Sequence, residues 1–289
     1  MKPVAGLLLA AILLHGQDFN NIFAERIGTG LQFVDGLVWS RSGFLIFSDV
    51  RKKRIYRVDP GKPPTPTDED SNAAEGLAFD PQGRLYICEP GTRRVIRIDA
   101  KNKQDVIADG FQGKKLNAPN DLVVRKDGQI YFTDPAFASQ MDSRELDFNG
   151  VFHVTPKGEI EAVAKWSTRP NGITLSADGR TLFVVDSDRH AVVAFDLDGK
   201  TGSAANPRDV IQNIDGVPGG IRTDVTGKIY VGARGLGVYS PDGKRLQQLL
   251  SGEIITNCTF GDADFETLYV SGRKSIFKIR LGVKGALSY

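Results

Sequence analysis

Six segments of this chain are variations on one pattern, and nothing else in the sequence restricts its fold as much. They read DGLVWSRSGFLIFSD from 35, EGLAFDPQGRLYICE from 75, NDLVVRKDGQIYFTD from 120, NGITLSADGRTLFVVD from 171, GGIRTDVTGKIYVGA from 219 and NCTFGDADFETLYVS from 257. Each has a small or polar pair, a short apolar strand, a turn, and a second strand rich in Tyr, Phe, Ile and Val. The turns PQG, KDG, ADG and VTG supply the left-handed positions that tight hairpins need. Third strands follow as RIYRVD, RVIRID, GVFHVT, AVVAFDLD, GVYS and SIFKIR. A repeat of roughly 40–50 residues with four strands is one propeller blade. The sequence therefore predicts an all-β fold, a six-bladed β-propeller. The last repeat runs out before a fourth strand, and FAERIGTG at 23–30 is the segment available to close the ring.

Composition agrees with many short strands. The 289 residues include 32 glycines, with 40% hydrophobic and 25% charged side chains. A net charge of +2 with interspersed signs lacks the basic footprint of a nucleic-acid binder. Lys2 is followed by an apolar run from Pro3 to Leu14, too short to span a bilayer and suited to a signal peptide. A buried N-terminal helix is the other reading. The expected organisation is a signal peptide over 1–16 and a single propeller domain over 17–289, exported to the periplasm or secreted, monomeric and free of the membrane after cleavage. Cys88 and Cys258 both lie in apolar strands and read as buried free thiols.

In a propeller the first strand of each blade lines the central axis, so the residues that open the six repeats should form a ring. They are Asp35, Glu75, Asn120, Asn171, Gly219 and Asn257. Five polar side chains converging on one tunnel need either water or a cation, because each unpaired buried group costs about 1–3 kcal/mol. Carboxylates and amides without His or Cys are oxygen donors suited to a hard divalent cation, Ca²⁺ first, with Mg²⁺ and Mn²⁺ as alternatives. There is no G-x-S-x-G elbow, HExxH, phosphate-binding loop or dinucleotide fingerprint. His153 and His190 read as structural or solvated.

These motifs carry a resemblance. LNAPNDLVVRKDGQIYFTDPAF, RPNGITLSADGRTLFVVDS and NCTFGDADFETLYVS look like the calcium-dependent lactonases of the gluconolactonase, regucalcin and senescence-marker-protein group, over nearly the whole chain from about Asp18 to Leu281. The resemblance implies one divalent metal held by four side chains, at positions that fall on Asp35, Asn120, Asn171 and Gly219. Two amides match and one acid is a methylene shorter. The second acid, which is also the family's favoured general base, is replaced by Gly219 in GVPGG. Glu75 stands where the gluconolactonase branch usually has Asn, so the ring still carries two carboxylates.

The implied activity is hydrolysis of a sugar lactone, with a metal site of Asp35, Glu75, Asn120 and Asn171. The base falls to Glu75 or Asp35, with Asp121 as a further candidate. Arg144 and Glu145, on the long insertion TDPAFASQMDSRELDFNG, and Asn257 are the candidate substrate contacts; the insertion is expected near one mouth of the channel. On this reading Gly219→Asp should strengthen metal binding. The alternative is an exported, non-catalytic ligand-binding propeller with a degraded metal site.

Overall fold

The computed structural model describes residues 22–67 and 70–287; the apolar run up to Gly16 lies outside them. It has an all-β, propeller-like fold. Four sheets of four strands each correspond to the first four repeats. The first begins with Val34–Ser40, the second with Leu77–Phe79, the third with Leu122–Val124 and the fourth with Pro170–Leu175. The last two repeats share a six-stranded sheet, because the strand Arg245–Gly261 serves both. Its first half pairs with Leu236–Tyr239 and its second half, Ile255 to Gly261, with Thr267–Gly272. Ala24–Gly28 pairs antiparallel with Ser275–Arg280, so the segment ahead of the first repeat supplies the outer strand of the last one.

Second strands such as Leu85–Glu89 and Ile130–Asp134 are almost wholly buried, as expected for strands covered by a sheet on each face. Six hydrophobic clusters fill the spaces between neighbouring repeats. One joins Val38, Ile46 and Ile55 to Leu77 and Ile87, and another joins Leu45, Phe47 and Trp39 to Tyr269 and Ile276. The innermost strands touch one another in cyclic order, and the last of them, within Arg245–Gly261, touches the first. Between first and second strands, Gly83, Gly128, Gly179 and Gly227 take φ of +76°, +89°, +68° and +86°, as the turn sequences require. His153 is buried between Glu161 and Gln129 and stacks on Tyr131, and both cysteines are buried and free. Among the described residues no helix is long and apolar enough to cross a membrane.

Candidate functional site at the mouth of the ring

The loops that enter the innermost strands are held together by backbone bonds, which define the true ring. Gly76 N donates to Asn120 O (2.7 Å), Gly172 N to Gly219 O (3.1 Å) and Gly220 N to Thr256 O (2.7 Å). Each bond runs from the residue after one ring position to the ring position of the next repeat. The sixth position is therefore Thr256, one residue earlier than the sequence alignment of repeats expects. The sixth repeat has a turn of its own, with Asp262 and Phe265 at φ of +66° and +59° in place of the glycine of the other repeats. Asn257 sits one step deeper, level with Asp121, and is only 2% exposed. It does not face a substrate; its Nδ2 donates to Asp35 Oδ1 at 2.9 Å and its Oδ1 accepts from Cys258 N at 2.8 Å.

Four side chains remain on the ring with oxygens to offer. Asp35 Oδ1 accepts from Gly36 N and from Asn257, which leaves Oδ2 without a hydrogen bond among the described residues. Asn120 donates Nδ2 to Glu75 Oε2, leaving Glu75 Oε1 and Asn120 Oδ1. Asn171 donates Nδ2 to Ser187 Oγ at 3.1 Å, leaving its Oδ1. Both acids keep some exposure, but their carboxylates sit deep. Burial pushes Asp35 up to about 7, against the lowering effect of its bonds from Asn257 and Gly36. Burial, then the charges of Asp35 and Asp121, holds Glu75 well above the carboxylate range.

Asp121 belongs to a different arrangement. Its Oδ1 accepts from Leu122 N (2.9 Å), its Oδ2 from Ile173 N (3.3 Å), and Arg222 Nη1 lies 3.6 Å from Oδ2. At 2% exposure and with both oxygens hydrogen-bonded, it lies below the mouth of the ring and pairs with Arg222, an arrangement that suits a structural acid better than a base. Arg222 went unnoticed in the sequence because it is one of many arginines, in an inner strand written IRT. Further along the inner strands the space shrinks to about 50 Å³ around Arg222, Thr174 and Thr259, bounded by Ala286 and Leu287. With Asp121 matched by Arg222, Asp35 and Glu75 are the two unmatched carboxylates. Among the described residues no three His, Cys, Asp or Glu side chains gather as a metal cage. The donor set that fits a hard cation is mixed instead, two carboxylates and two amide oxygens with a formal charge of −2, which suits a divalent ion.

Gly219 is where the close approach is tightest for the absent acid. A Cβ built on it would lie 2.6 Å from Thr256 O, a separation that forces the backbone to move. Beside it opens a cavity of about 570 Å³ that reaches Asp35, Asn171 and Gly219 but not Glu75 or Asn120. The insertion does not line this cavity. Glu145 accepts from Lys115 N (2.9 Å) and lies 3.3 Å from Arg93 Nη1, so it ties the insertion to the preceding hairpin. Arg144 ends the short 3₁₀ turn Ala138–Ser143 and is likewise outside the cavity. Neither of these two expected substrate contacts lines the cavity beside Gly219.

Comparison with known proteins gives these features a context. The family model described as the SMP-30/gluconolactonase/LRE-like region matches residues 33–273. A gluconolactonase of Zymomonas mobilis is 31% identical, covering 89% of this chain and 80% of its own. Regucalcin of Bos taurus is 28% identical over 87% of this chain and 92% of its own. The solved structure of a gluconolactonase from Xanthomonas campestris superposes with a TM-score of 0.83 at 26% identity, covering 92% of this chain and 91% of the other. A ring of oxygen donors at the centre of a propeller-like fold, with a family match across most of the chain, leads to one conclusion: this protein belongs to the SMP-30/gluconolactonase/LRE-like family.

Proposed function

We propose that the protein is a six-bladed propeller hydrolase that opens a sugar lactone at the mouth of its ring, with one divalent cation held by Asp35, Glu75, Asn120 and Asn171. The observation that carries the reading is that these four side chains, on successive ring positions, each keep an oxygen free of protein hydrogen bonds. Six blades are supported by the six inter-repeat clusters and the cyclic contact of the inner strands; the long strand Arg245–Gly261 then joins the fifth blade to the sixth. Family relatives named gluconolactonase and regucalcin point to the lactone and to calcium, with Mg²⁺ or Mn²⁺ as alternatives. The apolar run ahead of Gly16 supports export to the periplasm or beyond the cell.

When bound, a hard cation supplies a Lewis acid that polarises the lactone carbonyl. The remaining work falls to the chain's own groups. Asp35 lines the cavity while Asn257 and Gly36 hold its Oδ1, so the carboxylate is oriented before substrate arrives. The base falls to Asp35, the ring carboxylate that lines the cavity where substrate would sit. Glu75, bonded to Asn120 and not among the residues that line the cavity, serves as a ligand. The test is hydrolysis of a panel of sugar lactones with added Ca²⁺ and with a chelator. Turnover that disappears on chelation and returns with metal supports the proposal, and no turnover with any lactone in any metal contradicts it.

A further inference from the structure

The cavity beside Gly219 has a charge pattern that the cleavage of a neutral lactone does not use. Two arginines line it, Arg234 and Arg273, together with the acids Asp35 and Glu253. Glu253 is engaged by Arg26 at 3.0 Å, and Arg234 by Asp215 at 3.4 Å. Arg273 has no hydrogen-bond or ion-pair partner for its guanidinium among the described residues. Its backbone is held on both sides, with its carbonyl accepting from Val34 N (3.0 Å) and its N donating to Ile254 O (3.3 Å). The backbone of this exposed arginine is thus fixed next to the residue that precedes Asp35, and its side chain lines the cavity from there. On the rim, Val217 and Ile254 are 62% and 48% exposed, apolar surface of the kind that covers the C–H face of a sugar.

We propose that this cavity holds a carboxylate carried by the substrate, with Arg273 as its anchor, so that the substrate class is the lactone of a dicarboxylic sugar acid. An unpaired guanidinium presents two parallel N–H donors that match a carboxylate. With Asp35 and Glu75 matched by a divalent ion, and Glu253 and Arg234 by Arg26 and Asp215, Arg273 is the one lining charge without a counterpart. A single positive charge suits a carboxylate; a phosphate dianion needs more. Gly219 and Arg273 line the same cavity, and about 570 Å³ lies within the range of small-molecule sites. The inference rests on the lactone-hydrolase reading for the bond that breaks, though not for the anion that binds.

The experiment compares two five-membered lactones that differ in the carboxylate, D-glucono-1,4-lactone and D-glucaro-1,4-lactone, on wild-type protein and Arg273→Gln with Ca²⁺ present. Wild type is expected to favour the acidic lactone. Arg273→Gln should raise KM for it by roughly 10–100-fold, the scale of one charge-assisted bond, and leave both constants for the neutral lactone unchanged. Equal effects on both lactones, or none, overturn the proposal, as does a preference for 6-phosphogluconolactone over the acidic one. Calorimetric titration with D-glucarate reads the anion site without turnover. Binding that Arg273→Gln weakens upholds the site even where no lactone is hydrolysed, which would sink the hydrolase reading alone; no glucarate binding to wild type sinks the site.

Discussion

The two sides of the ring share one kind of backbone bond and differ in the side chains they carry. On the first three repeats and the fourth, Asp35, Glu75, Asn120 and Asn171 carry side chains toward the axis, and the amides and acids bond to one another or to the wall. On the fifth and sixth, Gly219 and Thr256 approach backbone to backbone, with Gly220 N bonded to Thr256 O at 2.7 Å. Chain separation there is too small for a Cβ, so a carboxylate has no root at that position. The difference teaches that the ring's charge is one-sided. Two acids stand on one side, and the other side opens into a cavity beside Gly219.

The largest effect should come from the acid that touches both regions. Asp35→Asn keeps the shape and removes the base, and kcat on the preferred lactone should fall by about 10²–10⁴-fold. A loss under fivefold would place the base elsewhere. The comparison sharpens at Gly219. Restoring the family acid with Gly219→Asp drives a Cβ against Thr256 O, an overpacking that costs about 1–3 kcal/mol. Thermal unfolding should drop by several degrees, with no gain in cation affinity. That reverses what the family pattern alone suggests. An unchanged Tm with tighter Ca²⁺ binding would show that the two chains can part after all.

A smaller effect separates the sides by pH. In the cation-free fold Asp35 titrates at about 7 against an ordinary 3.8, so the folded chain holds a proton that the unfolded chain gives up. From this group, stability is greatest at low pH and falls as pH rises from about 4 toward 7. Cation affinity rises over the same window, because the ion needs the ionised carboxylate. Melting at about pH 5 and about pH 7.5, with chelator and with Ca²⁺, reads both signs. Stabilisation by Ca²⁺ should be clearly larger at the higher pH; equal stabilisation at both would mean that Asp35 is not a ligand.

Much of the fold was legible because its rules are local. Turn residues such as Asp127–Gly128 and Asp178–Gly179 announce the hairpins, and the apolar runs between them spell buried strands. Even the outer strand Ala24–Gly28 could be placed, since the last repeat lacked one. The sixth ring position was misread because its turn uses Asp262 and Phe265 at φ of +66° and +59° where the other repeats use glycine, which removes the landmark that aligns them. Four ring donors were legible from their repeat position. Arg222, Arg273 and the cavity were not, since they depend on which hairpins meet in space. The insertion 133–150 is a different case, since its length is visible in the sequence but its contacts are not. Its length signals function, yet Glu145 and Asn149 spend their bonds on Lys115 N, Ala136 N and Ser167 O, fastening the loop.

The account turns on Glu75 having taken over as the second metal-binding acid. Calorimetric titration of metal-stripped wild type and Glu75→Gln with Ca²⁺, side by side, tests this most directly. Wild type should show one site per chain, and Glu75→Gln should weaken it by about 2–5 kcal/mol, the cost of removing one partner of a buried charge contact. Equal affinity in both proteins would contradict the account and leave the ring with a single acid that matters.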